Sequence, residues 1–489
     1  MRPSPLLDAP GAVAADSGAV PGGAPAGPGA AAAGPVPAAD PDALVPAHYG
    51  DPLREQRLLA DGLAVSALAR DVVAVTGADR LTWLTTLSSQ RLTGLTPGDG
   101  GAEALLLDAQ GRIAHALAAL DDGRTLLLVT EAGDGPALAD LLDRMRFMLR
   151  VEVGAREDLV ALGALGAGRE RLRRAADAVG ALVGAWTDPW PGVVEGGTSY
   201  DVGLDSPHPG RAYAAGFVLV PATRVVEVVR AFAAGGSADE GSDGVRSGAA
   251  GSDGTQPGGA LAGAAEHDAL AGAMAWEALR IEAGRPRRAR EVDERAIPHE
   301  LDWLRTAVHL TKGCYPGQET VARTLNLGRP PRRLTLLQLD GLAGGLPAPG
   351  DVVRLGERAV GAVTSTARHH ELGPIALALL RRGVPAEAAL SVEVSEAASG
   401  PGETGAVSGA DGVSGTGPVS GAGAAARTAE PDAVDAADGP APGERVVVGR
   451  VAAAQEVLVT PEGRAQASPA ERPGAGLRTS LLHRRDGGR

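Results

Sequence analysis

The chain has 489 residues, 46 basic and 60 acidic side chains, and a formal net charge of −14. That balance excludes broad nucleic-acid binding through a basic face, and a single cysteine excludes an internal disulfide or a metal site built from several thiolates of this chain. No apolar run reaches the length of about 18 residues that would suggest a transmembrane helix, and the N-terminal stretch lacks the sustained apolar core of a signal peptide, so a soluble cytoplasmic protein in a reducing compartment is expected.

Residues 1–46 are mostly Ala, Gly and Pro and bury too little apolar surface to offset chain entropy, so disorder is expected there. A first folded block is expected over 47–328. In it, residues 71–77 (DVVAVTG) read as a strand, and the following helix has Thr76 or Asp79 as its cap and Leu81, Trp83, Leu84 and Leu87 on its apolar face. The stretch 101–120 reads as a hairpin turning at Asp108–Gly111. Residues 124–148 and 217–233 each read as a strand followed by a helix, and 273–284 as a helix stopped by Gly284 and Pro286. A Gly/Ser/Asp-rich insertion at 234–266 is expected to be disordered. Hairpins mixed with helices imply an α+β fold and not a doubly wound parallel sheet.

After 328, short strands are expected in 334–341, 351–370 and 374–382, with one or two more in 444–459. Their regular spacing predicts a small β-barrel over 329–396 plus 444–460, interrupted by a disordered insertion at 397–443 and followed by a disordered tail at 461–489.

The stretch with the sharpest chemistry is LTKGCYPGQE, Leu310–Glu319. It holds the one lysine, Lys312, among 46 basic residues, and the one cysteine, Cys314. Arginine replaces lysine wherever only a charge is needed, but not where a compact, deprotonatable amine is required. Pro316–Gly317 fits the centre of a type II turn, Gly313 adds a second permissive point, and Gln318–Arg323 reads as the start of a short helix ending near Gly328. A nearby ammonium and a helix N-terminus both favour thiolate. Two readings stay open on these grounds, a reactive or ligating Cys314 and a structural Lys beside a small buried thiol.

His369-His370-Glu371 suggests a metal site, but neighbours on a strand face opposite ways, which favours a turn or capping role. His299 and His309 flank the loop, and Asp293, Glu294 and Glu300 read as surface acids. Dinucleotide and phosphate-loop glycine patterns are absent, and no metal ligand set is assigned.

LTKGCYPGQETVAR resembles the K-G-C-[FY]-x-G-Q-E signature of the YgfZ-type folate-binding proteins, relatives of the aminomethyltransferase (T-protein) of glycine cleavage. ALRIEAGRPRRAREVDERAIPHELDW before the loop, RTLNLGRPPRRL after it and the hairpin LLLDAQGRIAHAL agree with that superfamily. The resemblance covers roughly 55–395 plus 444–460. It implies an α+β fold of three subdomains with ferredoxin-like character around a central hole for tetrahydrofolate, and a small C-terminal β-barrel.

The implied role is folate-dependent support of iron–sulfur cluster assembly or repair in client proteins, with a cluster held at most transiently. Cys314 and Lys312 would be the working pair, with Gly313, Tyr315, Gly317, Gln318 and Glu319 shaping the loop and positioning folate. Arg280 matches the Arg of the superfamily's L-R-x-E-A-G helix and would pair with the anionic folate tail. Where the true aminomethyltransferase carries an acidic pair, this chain has His115 and Ala116. Aminomethyl transfer is therefore not expected, and the superfamily's pterin-contacting Glu segment is not recognisable before Phe217. The alternatives are a one-carbon transferase with a changed substrate and a non-catalytic scaffold.

Overall fold

The computed structural model of the chain describes residues 2–15, 40–202, 204, 207–239, 263–341, 345–397 and 445–470. Its body is α+β, built from two five-stranded sheets that face one another, with a closed barrel packed alongside.

The first sheet runs in the order Ala102–Leu107, Ile113–Asp121, Thr125–Glu131, Arg70–Thr76, Glu152–Ala155, antiparallel throughout. The hairpin turns where the sequence places it, at Asp108–Gly111, and Gly111 takes a φ of +78° that suits glycine. Helices Arg80–Leu87 and Gly135–Met145 cover the outer face, packing Leu84, Leu138 and Leu142 on Val73, Val75 and Leu128. Asp79 sits at the cap position of the first helix, but its carboxylate is taken by Arg150, whose Nε lies 3.0 Å away, and not by a helix N–H.

The second sheet runs Gly184–Thr187, Ala215–Pro221, Leu159–Leu165, Val65–Leu68, Leu270–Ala271, with only the last pair parallel. Helices Gly168–Ala178 and Val225–Asp239 close its outer face through Leu172, Val228, Val229 and Phe232. The period of two along each strand then turns Leu68, Phe217 and Leu219 inward, against Leu105, Leu127 and Val129 of the first sheet. Helix Ala273–Glu282 and the buried run Leu301–Val308 fill the remaining sides of this shared core.

The barrel closes in the order Arg332–Leu339, Gly373–Arg381, Arg358–His369, Val352–Leu355, Leu390–Ala397, Arg445–Val457. The last strand, beyond the 397–443 insertion, pairs with both the first and the preceding strand and so removes the exposed edge.

Three stretches read from sequence as disordered are partly folded. Leu6 and Val45 are fully buried, Ser4 donates from its amide to the Leu44 carbonyl at 2.8 Å, and Val13–Ala14 pairs with Pro46–His48. In the tail, Ala465 is buried, and the amides of Gln466 and Ala467 donate at 3.0 Å to Ser199 O and Thr198 Oγ1. A few apolar side chains plus backbone hydrogen bonds suffice because the body supplies the rest of each interface. Residues 234–239 continue a helix, and Ala264–Asp268 forms another. The disorder expected for 16–39, 240–262, 398–443 and 471–489 lies outside the described residues.

Candidate functional site

The Lys-Gly-Cys-Tyr loop leaves the buried run Leu301–Val308 and is clamped onto the hairpin of the first sheet. Gly317 takes the left-handed φ of +78° that the second central position of a type II turn requires, and a Cβ there would lie 2.7 Å from Asp108 O and from Gly111 Cα. One glycine in each turn therefore lets two backbones touch. The helix Gln318–Leu327 starts at once and ends on Gly328 at φ +62°. His299 is wholly buried beneath it, its Nε2 3.0 Å from the Val321 carbonyl, and burial pushes its pKa down to about 4.

On this platform Lys312 turns inward and Cys314 outward. The Lys312 ammonium donates to the Thr85 carbonyl and lies 4.8 Å from the centre of the Tyr315 ring, a cation–π distance. Only 6 % of Lys312 is exposed, and burial lowers its amine to about 8; Arg91 pushes the same way, while the charge of Cys314 opposes it. Cys314 is exposed. Tyr315 anchors the turn in the core. Glu319 is exposed and pairs with Arg323. His309 faces Gly196, where an added Cβ would lie 2.5 Å from its ring.

Arg280 belongs to a different place. Nε donates to Glu277 at 2.9 Å, Nη1 to Arg285 O and Glu291 at 3.2 and 3.0 Å, and Nη2 to Glu277 and Ser365, each at 2.6 Å. A guanidinium has five N–H donors, and all five are used. Arg280 therefore ties its helix to the barrel, with each of its donors occupied within the protein. None of Lys312–Glu319 lines the cavity that Arg280 borders.

That cavity lies between the inner faces of the two sheets and offers about 90 Å³ to the centres of water-sized molecules. Its walls mix charged and aromatic side chains, the latter including Trp186 stacked on Phe217 at 5.1 Å, Trp276 and Tyr213. Its polar residues form buried ion networks. Arg285 donates from Nε to Asp188 Oδ2 at 2.9 Å and from Nη2 to Glu103 Oε1 at 2.6 Å, while Nη1 has no hydrogen-bond partner among the described residues. Arg287 pairs with Asp42, Glu131 and Glu277. Burial raises the Asp188 carboxyl, against the opposing pull of Arg285. Sequence reasoning stopped at Arg280 and passed over Arg285 and Arg287. The signal was the density of arginine in GRPRRAR, far more than a surface turn needs.

His115 and Ala116 face opposite ways. His115 Nδ1 lies 2.8 Å from Asp134 Oδ2, which also accepts from Thr130 Oγ1, and only the methyl of Ala116 borders the cavity. Among the described residues no group of three or more His, Cys, Asp or Glu is placed to hold a metal ion. His369 Nδ1 accepts from the amides of Glu371 and Leu372 at 3.2 Å, a turn cap. Asp293 and Glu300 both pair with Arg332 at the first barrel strand.

No protein-family model matches the chain. Over 94 residues it is 37% identical to a chloroplastic protein of Arabidopsis thaliana named "Putative transferase", a match covering 19% of this chain and 21% of that protein. Among solved structures it resembles the glycine cleavage system aminomethyltransferase T from Bartonella henselae, with a TM-score of 0.50 and 16% identity over 72% of this chain and 87% of the other. The fold is therefore aminomethyltransferase-like, with the closed six-stranded barrel at its C-terminal end.

Proposed function

We propose that the chain is a tetrahydrofolate-binding factor of the YgfZ type, and that it supports assembly or repair of iron–sulfur clusters in client enzymes through its Lys-Gly-Cys-Tyr loop. The observation that carries this reading is the pairing of a buried amine with an exposed thiol two residues on, on a loop fixed to the core by glycine-to-glycine contact. A depressed ammonium beside a thiol holds a proton that can be exchanged near neutral pH. Cys314 is free to reach iron or sulfur on a partner, and the cluster is cargo, held transiently and completed by ligands from elsewhere.

The lining of the central cavity, and not its volume, supports a reduced pterin. A water takes about 30 Å³ of liquid volume, so 90 Å³ is the room of about three waters and a bicyclic ring enters only where the walls part. Trp276 and Phe217 supply faces for stacking, and Arg285 offers an orphaned donor. Tetrahydrofolate, when bound, supplies a reduced one-carbon carrier. The protein's own part is to enclose the ring and exclude water. With Ala116 at the cavity wall, no carboxylate stands where the aminomethyltransferases are expected to carry one, and this reading assigns no aminomethyl transfer.

The test is complementation of a deletion strain, read as activity of cluster-dependent enzymes. Cys314→Ser and Lys312→Arg are each expected to fail at wild-type protein levels. Full restoration by Cys314→Ser would remove the thiol from the mechanism.

A further inference from the structure

We propose that the turn over 145–149 is a docking knob for a protein partner, one that presents an apolar socket edged with carboxylates, and that it sets this partner over the Cys314 loop. This rests on the reading above in which Cys314 meets a client protein, and it names the surface that holds the client.

Phe147 and Met148 are 91% and 89% exposed, and Met145 and Leu149 are exposed beside them. Four apolar side chains at one turn are a patch and not the scattered exposure normal for a surface. The turn also carries strain. Phe147 takes a φ of +41°, which a bulky side chain rarely adopts, and the Leu149 amide closes the turn by donating to the Arg146 carbonyl at 2.9 Å. Both ends are fixed. Helix Gly135–Met145 packs through Leu138 and Leu142, and Val151 is buried. The Arg150 amide donates to Asp79 Oδ2 at 2.9 Å, beside Gly77, where an added Cβ would lie 2.0 Å from Arg150 O. Strain of this kind persists where the surroundings over-determine it, so the body holds Phe147 out in water.

Three occupants compete for such a knob. Residues 144–150 hold three arginines and no acid. Arg146 and Arg150 pair with Asp143 and Asp79, and Arg144 is exposed with no ion pair among the described residues. A second copy placed by two-fold symmetry would set these arginines against themselves. An anionic bilayer would repel a chain of net charge −14, and one turn with two protruding apolar side chains is a weak anchor. Phenylalanine, methionine and arginine together are the residue types that protein interfaces favour.

The position of the knob selects the same partner. Arg150 grips Asp79 at the start of helix Arg80–Leu87, and Lys312 donates to the Thr85 carbonyl in the last turn of that helix. At about 1.5 Å per residue, the two contacts lie about 9 Å apart along its axis. Exposed Thr82 and Thr86 flank this path, and their hydroxyls donate to Asp79 O and Trp83 O at 3.0 and 2.6 Å, so neither hydroxyl proton is left unbonded when water is excluded. A partner covering about 800 Å² is wide enough to span the knob, the helix and the loop.

The experiment uses the deletion strain and the full chain. Phe147→Ser combined with Met148→Ser, and separately Arg144→Glu, change only exposed side chains, so their urea midpoints should match wild type. Both are expected to lower the activity of cluster-dependent enzymes, the double variant at least about tenfold. A photo-crosslinking phenylalanine analogue in place of Met148 is expected to join an identified cluster-dependent enzyme at a site bordered by Asp or Glu. The yield should fall with Arg144→Glu and return when one of those acids is changed to Arg.

Full restoration by the double variant and by Arg144→Glu, with failure of Cys314→Ser, overturns the knob and leaves the client reading standing. Failure of the double variant with the crosslink present, alongside full restoration by Cys314→Ser, keeps the knob and overturns the thiol reading. Adducts that are absent or form only between copies of this chain overturn the inference. Sedimentation with phosphatidylglycerol vesicles that Phe147→Ser abolishes overturns it too, in favour of a lipid surface.

Discussion

Replacing Arg280 by Ala should destabilise the protein and leave ligand recognition in the surviving folded fraction unchanged. The substitution removes five hydrogen bonds and the one ion-pair partner that Glu291, a carboxylate with 0% side-chain exposure, has among the described residues. Glu291 retains the Ser365 and Thr364 hydroxyls and the Arg287 amide, and Glu277 retains Arg287. Removing one member of a buried pair typically costs about 3–5 kcal/mol, a large part of the roughly 5–15 kcal/mol that holds a domain together. The remaining partners place the expected loss nearer the lower figure.

Urea unfolding followed by tryptophan fluorescence reads the loss as a shift in midpoint at constant slope. Arg280→Ala combined with Glu291→Gln should recover part of it, because the stranded charge is gone; a coupling of about 1–3 kcal/mol is expected for groups in direct contact. An Arg280→Ala protein within about 1 kcal/mol of wild type, yet unable to bind tetrahydrofolate, would refute this reasoning and return Arg280 to the ligand.

The sole lysine can be followed directly by reductive ¹³C-methylation and NMR, and its signal should titrate near pH 8 instead of in the ordinary lysine range. The folded amine gives up its proton before the unfolded one does. Its contribution to stability therefore rises with pH from about 8 toward the unfolded value, and Lys312→Met should flatten that rise in thermal melts. Gly317→Ala places a side chain at φ +78° against the hairpin backbone; a loss of about 1–3 kcal/mol and faster reaction of Cys314 with a disulfide reagent are expected. His299 is held neutral, with a pKa lowered by burial to about 4, so stability should fall as pH drops from about 6.5 toward 4. His299→Gln should reduce that slope in acid titrations monitored by circular dichroism.

The turn and the helix that follows it in the loop were legible because their requirements are local. Pro316–Gly317 announces a left-handed position, and Gly328 announces the end of the helix eleven residues on. The barrel was legible for a similar reason, since short strands between turn residues carry their own pattern. The partners of Arg280 were not legible, because Glu291 and Ser365 lie 11 and 85 positions away and no spacing rule connects them. The cavity was equally hidden. Its walls come from both sheets, and the three carboxylates Glu103, Glu131 and Asp188 look like ordinary surface acids until the fold buries them. Leu6 shows the converse error: composition describes the average of a segment, and one leucine can be an exception that anchors it.

One lysine and one cysteine, set two residues apart, also make this loop a chemical address. A maleimide has a single, exposed side chain to find, and an active ester finds a single lysine, whose amine is turned inward. The two reagents differ in what their rates report: thiol labelling follows the surface of the loop, and amine labelling follows its opening. A fluorophore on Cys314 would also sit on a loop anchored through Tyr315 to the core that holds Trp190, Trp276 and Trp303. Energy transfer from those indoles would then read movement of the loop against the body without introducing or removing any other residue.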